Sequence, residues 1–334
     1  MRKKTCFSTG CFILIVFSLL ACFNGCSEKE QKVYHVGILT DYAPFLIISD
    51  SFRAGMTELG YIEGENIIYD IQVKNSDPEG QKEAVKQFIK DKVDFIFTFP
   101  TEASVIAYNL TQGTDIPVLF AMCGVEGNIP IKNVSQPGGN ITGVRFPGPD
   151  NVVKHLELML EIKPQTKRIW GTYNPDYPNT VEMMKALRRA VKSYGVEFIE
   201  APNNNIDDVK ADLNNFEASG KVDIDAILLL PEGLSQSPDV SEVIIKFATK
   251  HNIPVGGGVP FTLDRGAIFS FLPDAQEMGK LASLSAHKIL NGIPAGTIPL
   301  ITPENYLYVN YKAIRSLGLN ASEGLLHQAK EIIN

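Results

Sequence analysis

Cysteine is scarce where it would matter. Of five cysteines, Cys6, Cys11, Cys22 and Cys26 fall at the amino-terminal end and only Cys123 stands in the body of the chain. A disulfide framework is therefore excluded as a source of stability, and Cys123 reads as a small buried hydrophobe. There is no Gly-x-Ser-x-Gly nucleophile elbow and no phosphate loop ending in Gly-Lys-Ser/Thr. The run Gly256-Gly257-Gly258 lacks the third glycine of a dinucleotide loop. His35, His155, His251, His287 and His327 are dispersed, with no pair at metal-ligand spacing. His155 and His287 read as solvated or half-buried helix residues. No metal, cofactor or catalytic residue is expected, so the chain does not read as an enzyme. The net charge is −7, with no clustered Lys/Arg stripe, which argues against a nucleic-acid partner. No apolar run reaches the ~20 residues that a bilayer-spanning helix needs.

What is present begins at the first residue. Arg2-Lys3-Lys4 precedes the apolar run Phe12–Phe17, and small residues then lead into two cysteines. This order describes a lipoprotein signal over residues 1–26, followed by export and tethering by lipid. Leu19-Leu20-Ala21 suits cleavage before Cys22, the expected lipidated residue. Cys26, after Gly25, is the alternative, and an uncleaved amino-terminal membrane helix is a further one. The protein is then expected on the cell membrane, facing the periplasm or the exterior.

The mature chain has room for two domains. Its composition, 44% apolar and 21% charged, is that of a chain folded throughout. From Tyr34 onward, short apolar runs alternate with amphipathic stretches. Strands are expected at 36–39, 67–71, 95–99, 117–120 and 141–144, with helices at 51–59, 81–90 and 103–110 between them. Runs apolar at every position suit strands buried on both faces of a parallel sheet. The pattern repeats beyond residue 150, with strands at 168–173, 196–199, 226–230, 254–256 and 267–271. Helices are expected there at 152–162, 181–194, 206–217, 240–250 and 275–290. The fold class is thus α/β, as two doubly wound parallel-sheet lobes. Pro137-Gly138-Gly139-Asn140 marks the turn before a strand that crosses between them.

Ligands in such folds sit outside the carboxyl ends of strands. The loops there carry carboxylates (Asp41, Glu102, Asp176, Glu232) and aromatic rings (Tyr42, Phe99, Tyr177, Phe261). Each has a plainer reading, as loop-tip solvation, helix capping or packing beneath the loop. Trp170, inside a strand, reads as core. In Asn174–Thr180, either Asn179 or Thr180 is placed to cap the helix that follows. The same helix start is the better place for a ligand carboxylate, because Glu102 would repel one at the other candidate start.

Several stretches together resemble a known family. They are Gly55-Met56-x-Glu58-Leu59-Gly60-Tyr61-x-Glu63-Gly64-x-Asn66, Lys92–Ile96, Ile116–Phe120, Pro137–Val144, Tyr173-Asn174-Pro175, Val309–Ala313 and Leu317-Gly318-Leu319. They are similar to the solute-binding lipoproteins of tryptophan/tyrosine-type ABC transporters, over nearly the whole mature chain. The resemblance implies a type I periplasmic-binding-protein fold with a three-crossing hinge and a ligand cleft between the lobes. The N-terminal lobe is expected over 34–144 plus about 273–300, and the C-terminal lobe over 145–272 plus about 301–334. Implied partners are a small-molecule ligand, an ABC permease with its ATPase, and the membrane through the lipid, with the protein a monomer. Tyr42, Thr101, Asn174, Asn179, Thr180, Glu232 and Asp274 are expected around the ligand. Three positions depart from the family pattern: Cys123-Gly124-Val125 replaces Thr-Asp-Pro, Pro231-Glu232-Gly233-Leu234 replaces Pro-Thr-Asp-Asn, and Gly257-Gly258-Val259 replaces an acidic step. These departures imply an altered ligand. An aromatic amino acid is the first expectation, with a nucleoside or a sensor role in the same fold left as alternatives.

Overall fold

The computed structural model describes residues 32–75 and 77–334; the expected signal over 1–26, with Cys22 and Cys26, lies outside the described residues. The first lobe is built on a wholly parallel sheet of order β2-β1-β3-β4-β5. Its strands are β1 (Tyr34–Thr40), β2 (Ile67–Val73), β3 (Phe95–Phe99), β4 (Val118–Cys123) and β5 (Ile141–Arg145). All five residues of β3 are buried, as its unbroken apolar run requires of a strand covered on both faces. Phe95, Phe97 and Phe99 meet Ile48, Phe52 and Met56 of helix α1 (Leu46–Glu58) on one side. On the other side Ile96 meets Val85 and Phe88 of α2 (Pro78–Lys90) and Ala103 and Ala107 of α3 (Thr101–Thr111). Burying each large apolar side chain stabilises the lobe by roughly 1.5–3 kcal/mol.

The second lobe has seven strands in the order β12-β11-β10-β9-β8-β6-β7. Helix α4 (Gly148–Ile162) leads to β6 (Arg168–Tyr173), α5 (Thr180–Tyr194), β7 (Glu197–Pro202), α6 (Ile206–Ala218), β8 (Ala226–Leu228), α7 (Gly233–Gln236), α8 (Pro238–His251), β9 (Val255–Gly256) and β10 (Phe269–Pro273). Trp170 is core, packed with Val209, Ile227 and Ile244, while α4 and α5 cover the opposite face through Leu156, Met159, Met183 and Leu187.

The chain then returns to the first lobe as α9 (Ala275–Leu290), whose Met278, Ala282 and Ala286 join the α1 cluster. Glycine permits this close crossing: a Cβ on Gly55 or Gly279 would collide with the facing helix. The last stretch goes back to the second sheet as β11 (Asn305–Asn310), α10 (Tyr311–Ser316), α11 (Glu323–Gln328) and β12 (Ala329–Ile333). Three chain passages therefore join the lobes, after β5, between β10 and α9, and before β11. Arg145 binds two of them together, donating to Glu126 (2.7 Å) and to Thr302 (3.0 Å).

Two readings of the sequence are corrected here. The strands β11 and β12 were not anticipated; β11 runs antiparallel to β10, so the second sheet is not purely parallel. β12 carries exposed Lys330 and Glu331, which hides it from an apolar-run argument, whereas in β11 Leu307, Val309 and Asn310 are buried. His155 is not solvated: it is wholly buried, with Nε2 2.7 Å from the Phe271 carbonyl oxygen. Burial pushes its pKa down to about 4, because α4 turns Val152, His155, Leu156 and Met159 alike into the core.

Candidate functional site

In each sheet the strand order reverses at one point, and there a crevice opens at the carboxyl ends. In the first sheet that point lies between β1 and β3, so the residues placed at it are Asp41, just after β1, and Thr101 and Glu102, just after β3. In the second sheet it lies between β6 and β8, followed by the loop Asn174–Asn179 and by Glu232. The two crevices face each other and touch.

The contact is built around Asn179. Its Nδ2 donates to Thr101 Oγ1 at 3.0 Å, and its Oδ1 accepts from Asn128 Nδ2 at 2.9 Å. Thr101 Oγ1 also accepts from the Gly124 N–H at 3.0 Å. Gly124 can lie this close because a side chain there would collide with the Asn179 amide. The capping reading of Asn179 thus gives way. It is the residue before α5 but makes no side-chain cap bond, since its amide is turned across the cleft. Thr180 holds the loop itself, donating to the Asn174 carbonyl at 2.8 Å.

Beside this contact lies a group of buried acids. Glu232 is 3% exposed and caps the short α7, accepting from Leu234 N–H (2.9 Å) and Ser235 N–H (2.6 Å). The Asn174 N–H adds a long bond of 3.4 Å. Burial nevertheless pushes the Glu232 carboxyl up to about 7, against those three donors. Glu102 is likewise raised to about 7, first by burial and then by the charges of Asp41 and Glu232, although it accepts a hydrogen bond from Tyr177. Tyr177, packed over Gly233, has its own pKa raised well above the usual value by burial and by the same three carboxyls. Asp41 accepts from Gln81 Nε2 at 2.6 Å. Among the described residues, Glu102 and Glu232 take part in no salt bridge, and the neighbouring charges acting on Glu102, those of Asp41 and Glu232, are negative.

Of the residues expected around the ligand, Thr101, Asn174, Asn179, Thr180 and Glu232 are joined by this hydrogen-bond chain. Tyr42 stands at the rim, 39% exposed, edge-on to Phe45. Asp274 has its partners elsewhere: it caps α9 through Gln276 N–H (2.8 Å) and pairs with Lys330 (3.0 Å). Phe99 is core and Phe261 is exposed beneath Arg265. Sequence reasoning missed Gln81 and Asn128 as cleft residues. Gln81 is 1% exposed and shares the buried face of α2 with Ala84, Val85 and Phe88, so that helical spacing was the one available signal. A cavity of about 660 Å³, lined by residues 125–134 and Arg145, opens beside the lobe contact rather than among the acids.

Two α/β lobes with apposed crevices, joined by three passages, define a two-lobed solute-binding protein of the type I periplasmic-binding fold. The chain belongs to the ABC transporter substrate binding protein family, whose model matches residues 41–333. It is similar to a tyrosine-binding protein of Clostridioides difficile, 26% identical over 300 residues that cover 87% of this chain and 82% of that protein. It also resembles in structure the ABC domain in complex with L-Trp from Streptococcus pneumonia, with TM-score 0.78, 19% identity, and coverage of 90% of this chain and 100% of that one. A ligand-free, open substrate-binding protein with adhesive properties from Clostridium difficile gives TM-score 0.69 and 24% identity, covering 90% and 99%. Capture of a solute for an ABC importer is accordingly the role of this protein, and members of its family work outside the cytoplasm. Among the described residues no helix is long and apolar enough to cross a membrane.

Proposed function

We propose that the protein is a lipid-anchored monomer that traps an aromatic amino acid, or a close chemical relative of one, and presents it to its permease and ATPase. The observation that carries this reading is the Asn179 amide held between Thr101 and Asn128 across the two crevices. Contacts of this kind exist only when the lobes are together, so they favour the closed form once ligand is inside. The lobes are taken as 34–144 with about 273–300, and 145–272 with about 301–334, in keeping with the three passages. Tyr42, Thr101, Asn174, Asn179, Thr180 and Glu232 form the ligand's surroundings, with Asp274 on the hinge side. The tyrosine and tryptophan named for the relatives support the aromatic class, and Tyr42 and Tyr177 offer rings for it.

A thermal-shift screen of aromatic amino acids, their derivatives and nucleosides tests the ligand class. Ligand at a hundredfold over its dissociation constant adds about 2.7 kcal/mol of stability. A nucleoside as the one active compound would overturn the aromatic amino-acid reading. Palmitate labelling of cells, repeated with Cys22→Ala and with Cys26→Ala, tests the anchor; label that survives removal of both cysteines would sink it.

A further inference from the structure

Three buried side-chain oxygens at the cleft have no hydrogen-bond partner among the described residues: Glu102 Oε2, Gln81 Oε1 and Gln236 Oε1. Chemistry fixes the identity of the two amide oxygens. Gln81 Nε2 donates to Asp41, and Gln236 Nε2 donates to the carbonyls of Leu230 (2.9 Å) and Gly257 (3.2 Å). The three are linked in space. Gln81 holds Asp41, the charges of Asp41 and Glu232 both act on Glu102, and Gln236 lies one turn beyond Glu232, its N–H donating to the Glu232 carbonyl at 3.1 Å. Gln81 and Glu232 are 1% and 3% exposed, so water does not serve them freely. A buried acceptor without a donor is costly, and a charged one more so.

No cationic side chain stands among the cleft residues named above to meet a ligand carboxylate. Asn179 spends both polar atoms of its amide on Thr101 and Asn128, and Val181, in the first turn of α5, is 55% exposed. Asn151, wholly buried with both amide atoms unpaired, offers a neutral amide and no charge. The cleft therefore asks for donors and positive charge.

We propose that the cleft selects an organic amine without a carboxylate, its ammonium held between Glu102 of the first lobe and Glu232 of the second, with its third N–H left for the oxygen of Gln81 or Gln236. This rests on the solute-binding reading of the same cleft and selects, from the aromatic amino acids and their close relatives, the amines. An ammonium between the two glutamates also removes the repulsion between the lobes, so the same contact that recognises the ligand favours closure.

The test is calorimetry on the full-length chain in detergent micelles with tyramine against tyrosine, tryptamine against tryptophan, and 3-(4-hydroxyphenyl)propanoate. Each amine is expected to bind about tenfold or more tightly than its amino acid, and the propanoate not at all. Glu102→Gln should weaken tyramine by about tenfold or more. The unsubstituted protein supplies an independent measurement: tyramine affinity should fall as pH drops from about 8 to about 5.5, because Glu102 and Glu232 take up protons while the amine stays charged. Tyrosine or tryptophan binding as tightly as its amine overturns the amine inference and leaves solute capture standing. Binding by none of the five compounds overturns both this inference and the aromatic class. Tightest binding by the propanoate overturns the charge argument outright.

Discussion

The cleft has two adjoining zones that solve opposite problems. Around Asn179 the groups are neutral and paired: its amide, the Thr101 hydroxyl and the Asn128 amide nitrogen all have partners within about 3 Å. Around Glu102 the groups are acidic and under-supplied: Tyr177 donates to the Glu102 carboxyl, but its Oε2 has no partner among the described residues. The neutral zone can close by itself, because what it loses to water it regains across the interface. The acidic zone resists closure until something positive enters. A ligand trap needs both, since lobes that closed too readily would exclude the ligand and lobes without closing contacts would not hold it.

The largest effect should come from neutralising the acidic zone. The pKa of Glu102 rises from its unfolded value to about 7 in the fold, so its ionised form opposes folding. That cost, about 3 kcal/mol, is fully present above about pH 7, shrinks as pH falls through 7, and is gone near 4.5. Glu102→Gln should therefore stabilise the ligand-free protein most at about pH 8, with the gain fading by about pH 5 in denaturant melts. His155 acts in the opposite sense. Its pKa is lowered to about 4, so it costs stability as pH falls below its unfolded value near 6.5, and that acid-side loss should survive in the variant. Equal stability of variant and parent at every pH would remove the buried-acid zone from the comparison.

The neutral zone should break next. A side chain at Gly124 meets the Asn179 amide, so Gly124→Val should hold the lobes apart. Overpacking of this kind costs about 1–3 kcal/mol, or roughly fivefold to 150-fold in ligand affinity. Small-angle scattering should show a more open particle, and unchanged scattering and affinity would count against closure through this contact. Asn179→Ala removes two hydrogen bonds without adding bulk. At about 1 kcal/mol net for each, it should weaken ligand binding while leaving the melting temperature nearly unchanged, since neither sheet depends on it. The smallest effect is expected at Lys330, paired with Asp274 at the foot of α9. An exposed pair contributes about 0–1 kcal/mol, and Lys330→Met should shift stability by no more than that in a melt.

The contrast between the zones also separates what could be read in the residues from what could not. Each apolar run of the first lobe became a strand, and 275–290 became a helix ending just before Gly292, whose φ of +82° suits glycine. These segments are legible because burial on both faces, or on one helical face, leaves a periodic mark in the chain. The edge strand β12 leaves a weaker one, with Lys330 and Glu331 exposed within it. Thr101, Asn174, Asn179, Thr180 and Glu232 were placed by strand-end position and family likeness. Gln81 and Asn128 belong to a helix and a loop that come near the cleft only after folding; Gln81 shares the spacing of Ala84, Val85 and Phe88, but its partner Asp41 lies 40 residues away, and nothing local marks Asn128. Asn179 shows the same limit from the other side: its position before a helix suggests a cap, yet its partners lie 51 and 78 residues away in the chain.

The sequence by itself determined the α/β alternation, the doubling of the lobes, and the loops at which a ligand would be met, because these follow from the order of apolar runs and turns along the chain. Tertiary structure alone decided that the acids of two lobes share one buried space, that Asn179 spans the cleft instead of capping its helix, and that His155 is core. Desolvation and hydrogen bonding depend on which groups end up adjacent, and adjacency between residues far apart in the chain exists only in the folded molecule.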